Sequence, residues 1–137
     1  MKLFIIALFM ATVMAELLGK WKNELGSTMT INNVIPADKK FVGIYETAVS
    51  ANGTHLTAPL DGKYTLPVSP GFLGTITFSV NWEYKNAKGE LVRSATVWAG
   101  FYTENNINAQ WLLVRGCIDI DVWSSTMVGK DVFFKLK

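Results

Sequence analysis

GKWKNELGSTMTI, residues 19–31, sets a tryptophan, an amide and several short hydroxyl side chains on one alternating segment. If residues 19–27 are extended, a period of two puts Trp21, Asn23 and Leu25 on one face and Lys22 and Glu24 on the other. Leu25, Gly26 and Ser27 then supply a tight turn, with Gly26 free to take positive φ, and residues 28–31 restart the alternation as a second strand. The stretch reads as the first strand and wall of a ligand site, or as an ordinary amphipathic hairpin.

Further along, the same period recurs. Residues 36–40 form a turn, and FVGIYETAV (41–49) places Tyr45 and Thr47 on one face. Residues 50–53 are a loop, and 54–64, interrupted by Pro59 and Gly62, suggest a short, irregular fourth strand or hairpin. GTITFSVNWEY (74–84) is the clearest strand, alternating Ile76, Phe78, Val80, Trp82 and Tyr84 with polar residues. The polar hairpin loop KNAKGE (85–90) leads to a strand from 91 to about 103, with Ser94, Thr96, Trp98, Gly100 and Tyr102 on one side. Residues 107–116 form a seventh strand, 119–125 a loop containing Trp123, and 127–136 the last strand. No segment sustains a period of 3.6. About eight short strands joined mostly by hairpins favour an all-β, eight-stranded antiparallel up-and-down barrel with a ligand site at one open end; a sandwich is the alternative.

The 137 residues, half of them apolar, with a net charge of +2, suit one domain with a sizeable core. Residues 1–15, MKLFIIALFMATVMA, combine a basic start, an apolar run and small residues before a cut after Ala15. They read as a secretory signal, leaving 16–137 as the barrel domain. The apolar run is shorter than the ~20 residues of a membrane span, so no membrane anchor is expected. Without Lys2, 12 basic residues face 11 acidic ones, scattered with no block to track phosphates, and no nucleic-acid partner is expected. Cys117 has no partner in the chain. His55 is the only histidine and reads as a solvated loop residue, and Asp119 and Asp121 read as solvated charges. Neither a catalytic constellation nor a metal site is expected.

The inward faces collect Trp21, Trp82, Trp98 and Trp111 with Asn23, Ser27, Tyr45, Thr47, Ser94 and Thr96. Buried hydroxyls and amides cost roughly 1–3 kcal/mol each when unsatisfied. Such a barrel must pair them with each other, with water or with a ligand. Aromatic walls with a few polar groups describe a pocket for a compact, mostly apolar ligand with a polar head; a self-satisfied or water-filled core is the alternative.

GKWKNELGS, GIYETAV, NWEY, SATVWAG, QWLL and VWSSTMVGKDVF, in that order, span nearly the whole mature chain, and in them the sequence resembles the avidin and streptavidin family. The resemblance implies a secreted, non-enzymatic protein that binds biotin with high affinity and sequesters it, needing no cofactor besides that ligand. The ureido oxygen would be held by Asn23, Ser27 and Tyr45, the ureido N–H groups by Thr47 and Asp131, and the ring sulfur by Thr96. Trp82, Trp98 and Trp111 would box the bicycle, with Leu25, Tyr84 and Leu113 completing the lining. The carboxylate would reach Ser94 and the loop bearing Val49, Ala51 and Asn52. Trp21 with Lys135 would close the far end. Trp123 would cap the site of a neighbouring subunit in a homotetramer built as a dimer of dimers.

The chain departs from the family pattern in a longer loop after Lys85, in Tyr84, Ala51 and Asn52 near the carboxylate, and in lacking the cysteines of the chicken-type disulfide. Cys117 is then expected to be free or intersubunit. Asn52-Gly53-Thr54 is also a glycosylation sequon, in the loop expected to act as the lid. Two other readings stay open: an extracellular module of the same fold without the ligand, and a lipocalin-like carrier of a different one.

Overall fold

The computed structural model describes residues 2–48, 55–118 and 124–137. One helix, α1 (Lys2–Leu17), precedes eight strands: β1 (Gly19–Asn23), β2 (Thr28–Ile35), β3 (Lys40–Thr47), β4 (Leu56–Tyr64), β5 (Gly74–Lys85), β6 (Leu91–Tyr102), β7 (Asn106–Arg115) and β8 (Thr126–Lys135). Each strand pairs antiparallel with the next, and β1 pairs with β8 through Trp21 opposite Lys135 and Asn23 opposite Phe133. The sheet therefore closes into the expected eight-stranded barrel rather than a sandwich, and every strand has a hydrogen-bonded neighbour on both sides.

The strands form where apolar and polar residues alternate, because only that pattern gives each strand a dry face and a wet one. β5 is the clearest case: Ile76, Phe78, Val80 and Trp82 are buried while Thr75, Thr77, Asn81 and Glu83 are exposed. β4 is more regular than its sequence suggests. It is a nine-residue strand with Ala58, Leu60 and Tyr64 inward, and it pairs with β3 along Leu56–Lys63. Its ladder with β5 begins only at Leu60, one residue past Pro59, so the missing N–H sits outside that ladder.

β1 is shorter than its alternation suggests and stops at Asn23. There the Asn23 Oδ1 accepts from the backbone N–H of Leu25 (3.1 Å) and of Ser27 (2.9 Å), pulling the chain into a turn with Gly26 at φ 88°. Leu25 consequently leaves the strand face it was expected to share with Trp21 and is 56% exposed.

One end of the barrel is packed shut. Trp21, Met29, Phe41, Ile76, Ile107 and Phe133 are almost wholly buried. α1 lies on this end through Val13 and Leu17. The Trp21 indole donates to the Leu17 carbonyl (3.0 Å), and the Lys135 ammonium sits 4.8 Å from the Trp21 ring centre while donating to the carbonyls of Glu16 and Leu18. Burial lowers the Lys135 pKa, and the nearby Glu16 charge partly restores it. Leu17 lies beyond the expected cut after Ala15, whereas Val13 lies before it. No helix among the described residues is long and apolar enough to cross a membrane.

Candidate functional site

Towards the other end the core changes character. Asn23, Ser27, Thr47, Thr96 and Asp131 are all buried, at the wall of a cavity of about 230 Å³. That is below the ~300–1,000 Å³ of drug-sized sites and suits a compact ligand.

Cross-strand register stacks the cavity in rows. Phe78, Trp98 and Trp111 lie opposite one another across β5, β6 and β7, then Val80, Thr96 and Leu113, then Trp82, Ser94 and Arg115 nearest the rim. Phe78 and Trp98 stack with centroids 4.8 Å apart, and Tyr45 lies 5.0 Å from Trp98 and edge-on to Trp82 at 5.8 Å. The aromatic walls thus brace one another before any ligand arrives. Trp111 depends on Gly129 across the β7–β8 ladder: a Cβ there would lie 2.3 Å from the indole.

The wiring of the polar groups decides which of them donate. Asn23 has its carbonyl oxygen occupied by two backbone N–H groups, which leaves its amide as a donor. Ser27 accepts from the Ala48 backbone N–H at 3.0 Å, which leaves its hydroxyl hydrogen to donate inward. Burial raises the Tyr45 pKa far above its ordinary value, with the Asp131 charge adding to the effect and the hydrogen bond between Tyr45 and Ser27 opposing it. Its phenol therefore stays a neutral donor. The same cavity holds the buried Asp131 carboxylate, to which the Trp98 indole donates at 2.9 Å. Burial raises the Asp131 pKa and the Glu24 carboxylate adds to it, while hydrogen bonds from Trp98 and Asn23 pull it back. Trp82 donates to the Thr96 hydroxyl at 3.2 Å.

The structure brings Asn23, Leu25, Ser27, Tyr45 and Thr47 onto this one cavity with Trp82, Tyr84, Ser94, Thr96 and Trp98, and with Trp111, Leu113 and Asp131. Leu25 joins from the turn and not from a strand face. Val49, Ala51, Asn52 and Trp123 lie outside the described residues, as do the sequon and the pair Asp119 and Asp121. Two further residues line the cavity, Leu56 and Arg115. Both were legible: Leu56 begins the series Leu56, Ala58, Leu60, and Arg115 ends the series Ile107, Ala109, Trp111, Leu113.

Away from the cavity, His55 lies 3.3 Å from Glu46 on the exposed surface, and Cys117 is an exposed free thiol. Among the described residues no three potential metal ligands cluster.

The model of the avidin family matches residues 11–136. Avidin of Gallus gallus is 34% identical over 129 residues, covering 89% of this chain and 79% of that protein. Avidin-related protein 4/5 of the same species is 32% identical over 143 residues, covering 99% and 88%. Among solved structures, a biotin binding protein from chicken superposes with a TM-score of 0.75 at 33% identity, covering 89% of this chain and 98% of that one. Xenavidin superposes with a TM-score of 0.73 at 31% identity, covering 90% and 99%.

Proposed function

The chain belongs to the avidin family, and on that footing we propose that it binds biotin inside the barrel as a secreted, high-affinity, non-enzymatic protein that sequesters the vitamin. One observation carries the reading. Three neutral donors, the Asn23 amide and the Ser27 and Tyr45 hydroxyls, line the same tryptophan-walled cavity as the buried Asp131 carboxylate. Donors for one oxygen beside an acceptor for an N–H are the complement of a urea. Fixed donors around an oxygen that carries partial negative charge favour it as a preorganised oxyanion site does. Thr47 would take the second ureido N–H, Thr96 the ring sulfur, and Trp82, Trp98 and Trp111 the faces of the bicycle, with Val49, Ala51 and Asn52 closing over the tail.

The same reading makes residues 16–137 the mature barrel, released by a cut after Ala15. It also makes the assembly a homotetramer, a dimer of dimers in which Trp123 caps a neighbouring site. The outer faces of β6, β7 and β8 support assembly, since Val97, Phe101, Leu112, Val114 and Val128 are at least 40% exposed, an apolar surface that a second copy would cover.

Titration of tryptophan fluorescence with biotin tests the function directly. Trp82, Trp98 and Trp111 line the site, so binding should shift the emission to a saturable end point at one biotin per chain. An unchanged spectrum at excess biotin, together with no heat in a calorimetric titration, would overturn the assignment.

A further inference from the structure

Arg115 is the last residue of β7, on the face that sends Ile107, Ala109, Trp111 and Leu113 into the barrel. It lies opposite Ser94 in the β6–β7 ladder, and the next residue continues the pairing through a Gly116 N–H to Arg93 carbonyl bond of 2.7 Å. The backbone on both sides of Arg115 is thus fixed, which aims its side chain at the cavity mouth that it lines with Ser94 and Tyr84. Its cross-ladder neighbour Arg93 faces outward and is paired with Glu83 at 2.9 Å. Arg115 forms no ion pair with any described residue.

The cavity has a polarity from end to end. Its inner part holds the Asp131 carboxylate, and its rim holds a guanidinium one row, about 7 Å, beyond Thr96 and Leu113. A shallow groove continues outward from Arg115 along the β5–β6 hairpin, where Lys88 and Glu90 oppose each other in charge and Asn86 pins the turn through bonds to both their backbone N–H groups. Among the described residues Arg115 is therefore the charge at the mouth that has no counter-charge. An exposed guanidinium that lines the mouth together with a hydroxyl and a phenol is suited to a carboxylate, which it can bind through two parallel hydrogen bonds.

We propose that Arg115 is a specificity residue that favours ligands whose tail ends in a free carboxylate over those in which the carboxylate is esterified or amide-linked. The inference rests on the biotin reading above, because that ligand has a urea head and an acidic tail. An ester keeps the head and the chain but removes the charge, so it isolates the interaction.

The experiment compares dissociation rates of biotin and biotin methyl ester, measured by chase, from the intact protein and from its Arg115→Ala and Arg115→Lys variants. Wild type should release the acid more slowly than the ester by roughly three- to tenfold beyond any difference seen in Arg115→Ala. Arg115→Lys should restore part of that difference, and raising the salt concentration should erode it in wild type. The ratio between ligands is the readout, so a general loosening of the pocket cancels. Binding of both ligands with the same acid-to-ester ratio in all three proteins would overturn the role of Arg115 while leaving the biotin reading intact. Binding of neither ligand would overturn both.

Discussion

Trp98 on β6 reaches past β7 to donate its indole N–H to the Asp131 carboxylate on β8, at 2.9 Å. The bond ties a wall of the cavity to its buried carboxylate, so the protonation of Asp131 and the order of the aromatic box are linked. Burial raises the Asp131 pKa, which means that the folded protein holds this proton more tightly than the unfolded chain does. Its contribution therefore favours the fold most below the ordinary carboxyl value of about 3.9 and is lost as pH rises through the raised value. A ligand N–H prefers the carboxylate, so binding should release a proton and tighten across the same window. Calorimetric titrations in buffers of different ionisation enthalpy should show that release in wild type and its loss in Asp131→Asn. A binding heat independent of buffer throughout the acidic range would count against Asp131 as the acceptor.

Removing one donor should weaken the ligand by about 1–3 kcal/mol, because it leaves the ligand oxygen short of a partner in a dry site. Tyr45→Phe is the cleaner variant. Ser27→Ala also strips the Ala48 backbone N–H of its acceptor, and so should cost apo stability as well as affinity. Off-rates paired with thermal unfolding separate the two effects. Biotin release at wild-type rates from both variants would remove these hydroxyls from the ureido site.

Gly129→Ala probes the packing behind Trp111. The added methyl carbon would sit 2.3 Å from the indole, so the ring must move or the β7–β8 ladder must part. Overpacking of this kind costs about 1–3 kcal/mol. The apo protein should melt at lower temperature and release biotin faster; an unaltered melting curve would show that the ring shifts freely and does not form a rigid wall.

Trp123→Lys tests the shared site. If Trp123 caps a neighbour's pocket, the charge should weaken assembly and raise the biotin off-rate while the β-rich circular dichroism stays intact. Sedimentation reports the first effect and a biotin chase the second. Wild-type behaviour in both would place Trp123 on its own barrel.

The mature N-terminus is also open to measurement. A cut after Ala15 would remove Val13 from the closed end but leave Leu17, whose carbonyl holds the Trp21 indole. Intact mass of the secreted protein should begin at Glu16. A secreted product that retains residues 1–15 would make α1 a permanent cover of the closed end.

The chain's amino-acid order determined the strands and which residues face inward, because a period of two is a local property. Trp21 and Asn23, or Phe78, Val80 and Trp82, must share a side wherever their strand ends up. It also held enough in its motifs to indicate the family. Sequence could not rank the strand faces against turn chemistry: the Asn23 side chain captures two backbone N–H groups and turns Leu25 out of its alternation. Nor could it say which polar groups donate. The roles of Ser27 and Asp131 follow from partners brought in by pairing, 21 residues away for Ala48 and 33 for Trp98. Only closure of β1 on β8, which lets Glu24 accept from the Val132 backbone 108 positions further along, brings the first turn up to the last strand and makes one cavity of them. Distance along the chain is the reason. Alternation is written in each segment, whereas register and hydrogen-bond polarity exist only between segments that folding has already placed side by side.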